Sequence, residues 1–328
     1  MAYRFNVKGF YRIGILYLFI KYSKMETIPS LEIPTLIDIM NLKETAEASQ
    51  MTDQELQKQQ QELQKQRDHE ADLQRLRGFR PIDDTFMRCI YQDNIPLAEM
   101  TLRIITGIND LVLTKGETQK DFKRLLGARS ICLDYHGVDK EGRQYDLEVQ
   151  KADSGARPER ARYHSAAMDI EALNANQLFE ELPETYTIFV TENDIYGFGD
   201  GIYPIERVIV THEQLFNDRA HILYVNGAYR GNDPLGELMH DFCCNDPDDM
   251  KNEMLAEASR YYKENPKGVE IMCKAMEEMR EESYQKGIEQ NRLESIKNIM
   301  EGLKYTAQQA MELLKIPADD QPKYLAKL

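Results

Sequence analysis

Apolar positions recur at helical spacing early in the chain, switch to strict alternation in the middle, and thin out toward both ends. The stretch 51–77, MTDQELQKQQQELQKQRDHEADLQRLR, is rich in glutamine and charge and has no Gly or Pro. Leu56, Leu63 and Leu73 draw only a thin seam along it, which predicts a solvated helix, a linker or a weak coiled coil. Asp83 or Asp84 is placed to cap a helix running through Thr85 to Tyr91. Pro96 opens a second helix with Leu97, Met100, Leu102 and Ile105 on one face and Gly107 at its end. Alternation then takes over, with Ile131, Leu133 and Tyr135 set against Cys132, Asp134 and His136. After residues 139–142 it resumes with Tyr145, Leu147 and Val149 against Asp146, Glu148 and Gln150, the pattern of a hairpin. A helix is expected over 157–174 and a strand over Thr185–Thr191. Short apolar runs follow at 205–210 and 222–225. Residues 248–300 read as a charged helix, and Thr306–Leu328 as two short helices split near Pro317. This order predicts an α/β or α+β class.

The hairpin holds the candidate chemistry. A loop of Lys140, Glu141 and Gly142, with Gly142 at positive φ, pairs Asp139 with Arg143 and, counting back, Asp134 with Glu148. Side chains alternate faces, so Leu133, Leu147 and Val149 point one way and Asp134, Glu148 and Gln150 the other. Two carboxylates directly opposite one another repel by several tenths of a kcal/mol or more. A hard divalent cation between them reverses the sign, and Mg²⁺ suits one or two carboxylates completed by water and phosphate oxygens. Gln150 is placed to orient a water or touch the phosphate. Spacing alone leaves two readings open, a metal site and the solvated face of an amphipathic hairpin.

Charge and cysteines narrow the classes. The 328 residues carry a net charge of -15, which argues against a protein that coats nucleic acid non-specifically. It leaves room for an acidic metal site served by a local basic patch. The five cysteines have no zinc spacing and no framework, so they read as reduced thiols in a cytoplasmic protein. The apolar run Ile13–Ile20 is too short to span a bilayer and has no small-x-small cleavage site after it. Residues 1–24 read as a mis-called start before Met25, as a disordered or packed segment, or as a membrane or export signal. No membrane partner is expected.

The stretch LDYHGVDKEGRQYDLEVQ resembles the core of the PD-(D/E)XK nucleases, in which an Asp precedes a hairpin closed by E-x-K or E-x-Q. More narrowly it is similar to the bacterial nuclease and transposase-like family linked to recombination promotion. The upstream DDTFMRCI helix, the RARYHSAAMDIEAL helix, the TYTIFVTENDIYGFGDGIYPI stretch and the tail ending in AMELLKIP follow in the same order, so the resemblance covers 79–328. It implies a restriction-endonuclease-like core, a mixed central sheet flanked by helices, with helical N- and C-terminal extensions. It also implies Asp134 and Glu148 as metal ligands for Mg²⁺ or Mn²⁺, with Gln150 where a lysine usually stands. Asp84 would be a further ligand or a structural cap. Gln150 departs from the pattern by supplying no positive charge.

Lys151, Arg157, Arg160 and Arg162 gather positive charge beside the carboxylates. Arg160 and His164, four residues apart, share a helix face. These five residues either hold a DNA backbone or pair with Glu159, Asp169 or Glu171. The glycines of 193–201 lack the order of a nucleotide motif and read as a structural turn. The expected organisation is 1–24, an N-terminal extension to 78, a nuclease-like domain over 79–240 and a charged helical region over 241–328. Three functions follow as hypotheses: a metal-dependent DNA endonuclease, an impaired nuclease fold that binds DNA or a partner, and a helical interaction protein around a passive scaffold. Homo-oligomers through the helical segments fit the last.

Overall fold

The computed structural model describes residues 53–122 and 131–328, so the expected segment 1–24 and the stretch 25–52 lie outside the described residues. The chain divides after His69 into two compact units. Helix α1 (Asp53–Gly78) begins in the first. There, from Glu55 to His69, no side chain is fully buried, and Leu56 and Leu63 are only half-covered, as the thin apolar seam predicts. Among the described residues no helix is long and apolar enough to cross a membrane.

The second unit, Glu70–Leu328, is built on a six-stranded mixed sheet. Two helices precede the sheet, α2 (Asp84–Tyr91) and α3 (Ile95–Thr106). Asn94 caps α3 by accepting from the Leu97 amide, and Gly107 closes it at φ 73. The first strands are β1 (Leu113–Phe122), β2 (Ile131–Asp139) and β3 (Gln144–Gln150), all antiparallel neighbours. After β3, helix α4 (Pro158–Ala172) crosses over to β4 (Thr185–Thr191), which runs parallel to β3. The sheet continues through β8 (Ala220–Asn226), parallel to β4, and ends on β5 (Ile202–Ile205), antiparallel to β8. Between β5 and β8 the chain forms a separate two-stranded hairpin, β6 (Val208–Ile209) and β7 (Gln214–Leu215). The fold is thus α/β with a mixed sheet flanked by helices.

Strand β1 has a polar sequence without alternation, so nothing in the pattern predicts it. It forms because it is an edge strand, needing one partner and one covered face. A Cβ on Gly116 would meet the Tyr135 hydroxyl at 2.0 Å, so the glycine leaves room for that ring. The expected hairpin loop forms with Gly142 at φ 82 and the Asp139 amide donating to the Arg143 carbonyl at 3.1 Å. The Asp139 carboxylate ties the loop by accepting from the amides of Glu141 and Arg143, the Arg143 guanidinium and the Tyr145 hydroxyl.

One face of the sheet carries Tyr135, Leu147, Val149, Ile188, Val190 and Val225 into the main core. That core is completed by α2, α3, α5 (Pro234–Phe242), α6 (Glu253–Glu264) and the start of α7 (Pro266–Leu303). Phe242, Leu255, Met272 and Met276 belong to it, so the boundary expected at residues 240 and 241 falls inside a continuous core. The other face is covered by α4. Beyond the core, Ile296 on α7 packs with Ala310, Met311, Ile316 and Tyr324 around α8 (Ala307–Leu313) and α9 (Gln321–Leu325). The glycine-rich turn is structural, as expected. Asp194 accepts from the amides of Tyr196, Gly197 and Gly199 and from the Tyr203 hydroxyl.

Candidate metal centre

The β2–β3 ladder runs from Val138↔Gln144 to Tyr135↔Leu147, which places Asp134 and Glu148 next in register, as the loop predicts. At that point the ladder stops and side chains replace it. The Asp134 amide donates to Glu148 Oε1 at 2.9 Å, and the Val149 amide donates to Asp134 Oδ2 at 3.2 Å. The expected common face for Leu133, Leu147 and Val149 does not form. Leu133 packs with Ile131, Ala167 and Met168 on the α4 side, whereas Tyr135, Leu147 and Val149 enter the opposite layer. β2 changes face at Asp134, and Gln119, which falls opposite it between the β1 pairs Thr118↔Tyr135 and Lys120↔Leu133, has φ 55. This local irregularity frees two carboxylates from regular pairing.

The parallel crossover then brings α4 over β3. Asp146, Glu148 and Gln150 point toward the helix, and Arg160 and His164 point back. His164 Nδ1 lies 3.0 Å from Asp146 Oδ2 and 3.7 Å from Glu148 Oε1. Arg160 donates through Nη2 to Glu148 Oε2 at 2.9 Å, through Nη1 to Gln150 Oε1 at 3.2 Å, and through Nε to His164 Nε2 at 3.3 Å. That last bond assigns the proton of a neutral His164 ring to Nδ1, which donates to Asp146. Gly155, in the turn after β3, makes this possible. A Cβ there would stand 2.1 Å from Gln150 Oε1.

Asp146 and Glu148 are wholly buried. Burial first, and the neighbouring Asp146 second, push Glu148 up to about 8. Burial, then the charge of Asp134, hold Asp146 well above the usual carboxylate range. Asp134 is pushed up to about 7 by burial, then by Glu148 and by Asp84. Asp146 Oδ1 is buried without a hydrogen-bond partner.

Among the described residues Asp146, Glu148 and His164 form a buried set whose ligand atoms all lie within 4.8 Å of one another. Two carboxylates, one imidazole and an orphaned carboxylate oxygen fit a divalent cation, and this group could hold a metal ion. Of the ligands the sequence suggests, Glu148 belongs to it. Asp134 sits beside it with one oxygen committed to Val149. Asp84 is the first residue of α2, where Asp83 holds the cap position, and both of its oxygens accept from Arg88, at 2.9 and 2.7 Å. Asp146 is the ligand that sequence reasoning passed over. The signal was present in D-x-E-x-Q, since alternation sets Asp146 on the face of Glu148.

The basic residues divide. Arg160 and His164 meet the hairpin acids, neither Glu159, Asp169 nor Glu171 being needed as partners. Lys151 is turned to the other side of the sheet by Asp83, 2.6 Å away. Arg157 and Arg162 are exposed and form no ion pair among the described residues. His136 is buried against Gln144.

Comparison with protein-family models, curated proteins and solved structures finds no match to this chain. The chemistry therefore rests on the site itself.

Proposed function

We propose that the protein is a metal-dependent phosphodiesterase acting on DNA, an endonuclease of the PD-(D/E)XK kind. The supporting observation is the buried group of Asp146, Glu148 and His164 with its unpartnered oxygen, beside Asp134, at the carboxyl end of a parallel strand. Ligands bind in open α/β sheets at such strand ends. A mixed sheet with a β3–α4–β4 crossover is compatible with a restriction-endonuclease-like core.

Asp146, Glu148 and His164 would hold the cation. A donor set with an imidazole favours Mn²⁺ or a similar transition ion over Mg²⁺. When bound, the cation would supply Lewis acidity and a more acidic water. The chain's own groups do the rest. Arg160, whose side chain is 40% exposed, reaches from Glu148 toward solvent and provides the positive charge that Gln150 lacks. Gln150 holds the guanidinium in place through its oxygen. Arg157, exposed at the N-cap of α4, binds a phosphate flanking the scissile one, assisted by the helix N-terminus, whereas Arg162 lies on the opposite face of α4 from Arg160. Asp134, beside the ligands with one oxygen on the Val149 amide, is placed to accept a proton from the attacking water.

Cleavage of supercoiled plasmid with Mn²⁺ or Mg²⁺ tests this, beside Glu148→Ala and an EDTA control. Nicking or linearisation by the wild type alone supports the reading; equal silence of wild type and variant across metals and salt removes it. A second reading has one specific observation in its favour. Arg160 already pairs with Glu148 at 2.9 Å, so one of the acids has a counter-charge from the chain itself, as in a nuclease fold retained for binding DNA or a partner.

A further inference from the structure

Every residue from 207 to 219 is exposed. This arm contains β6, its turn and β7, which pair with each other and with no other strand. It is nevertheless apolar, with Val210 84%, Phe216 58%, Leu215 51%, Val208 46% and Ile209 41% exposed. Val208 pairs with Leu215 and Ile209 with Gln214, so side chains alternate and both faces of the arm present apolar groups. Arg207 and Asp218 pair at its base. Arg219 donates to the carbonyls of Glu180 and Leu182, which sets Phe179, 80% exposed, beside the same base.

A two-stranded hairpin this short does not stabilise itself in water, and its outer edges leave backbone groups unpaired. We infer that the arm is a self-association surface, and that its occupant is the arm of a second copy of this chain across a two-fold axis. Three features favour a second copy. The six side chains together expose on the order of several hundred Å² of apolar surface per copy, enough to mark an interaction site. The arm's charges, Arg207 and Arg219 against Glu213 and Asp218, balance, so it has no attraction for nucleic acid or an anionic lipid surface. Identical strand edges pair antiparallel about a two-fold axis, which makes the surface complementary to itself. The inference does not depend on the nuclease reading.

The test is the mass of the full chain by sedimentation and light scattering from about 1 to 100 μM, which spans weak to moderate dimerisation. The wild type is expected to be a dimer. With a net charge of -15 on each copy, salt should tighten it rather than loosen it. The double substitution Val210→Glu with Phe216→Glu should weaken dimerisation at least about 30-fold, since two central apolar anchors are lost. Its thermal melting should be unchanged when compared as monomers, because both side chains are exposed. Tyr284→Glu, on the exposed part of α7, should leave the dimer intact. A wild type that stays monomeric, with or without binding to anionic vesicles, overturns the inference. So does a dimer that survives the arm substitutions, or one that Tyr284→Glu dissolves.

Discussion

Replacing Asp146 by asparagine should stabilise the metal-free protein and abolish its response to metal. Asp146 is wholly buried, with one oxygen on His164 and the other without a partner. Its folded pKa is raised, so the native state holds a proton that the unfolded chain has released above the ordinary carboxylate range. Stability from such a group is fully present below the unfolded pKa and is lost as pH rises toward the folded one. The loss is about 1.4 kcal/mol per pH unit for each such carboxyl. Glu148 adds a second, between its ordinary 4.5 and about 8. The Asp146→Asn change removes the first outright and relieves Glu148 of its largest repulsive neighbour. Asp134, raised to about 7, keeps its own share, so the slope of stability against pH between about 5 and 7.5 should fall by about a third or more. At about pH 7.5 in EDTA the variant should be the more stable of the two, less about 1 kcal/mol for imperfect amide bonding. Saturating Mn²⁺ should shift the balance back toward the wild type, because a ligand at about 100 times its Kd adds about 2.7 kcal/mol to the wild type only. Urea unfolding over a pH series, with and without Mn²⁺, reads all three quantities. A variant less stable than wild type in EDTA, with an unchanged slope, would show that the Asp146 carboxylate is favourably paired and refute the reasoning.

Two further substitutions probe the support of the site and of the fold. Gly155→Ala should displace Gln150 from Arg160, since its Cβ would stand 2.1 Å from Gln150 Oε1. Metal affinity, or cleavage if present, should drop about 10- to 100-fold with little change in melting; isothermal titration with Mn²⁺ checks this. Lys263→Met removes the ammonium that donates to the carbonyls of Arg77, Phe79 and Asn245 and lies over the Phe86 ring. About 1–3 kcal/mol of stability should be lost in urea unfolding.

Local rules carried the sequence a long way. Gly142 and the alternation around it determined the hairpin, its register and the meeting of Asp134 with Glu148, because a tight turn fixes pairing for the residues that follow. Pro96 and Gly107 fixed α3, and the run TYTIFVT fixed β4, because helix-end signals and β-rich apolar runs act over a few residues. Tertiary structure decided the rest. The polar edge strand β1 exists through its partner β2, and no pattern of its own announces it. β2 turns over at Asp134 because pairing on both sides breaks there, so Leu133 left the face that alternation assigned it. Asp84 was drawn to Arg88 by a salt bridge one helical turn away. The parallel pairing of β3 with β4 laid α4 across β3, and only that crossover brings His164 to Asp146 and Arg160 to Glu148. Spacing along the chain sets which residues share a face. Which faces meet is set by the burial of the whole sheet.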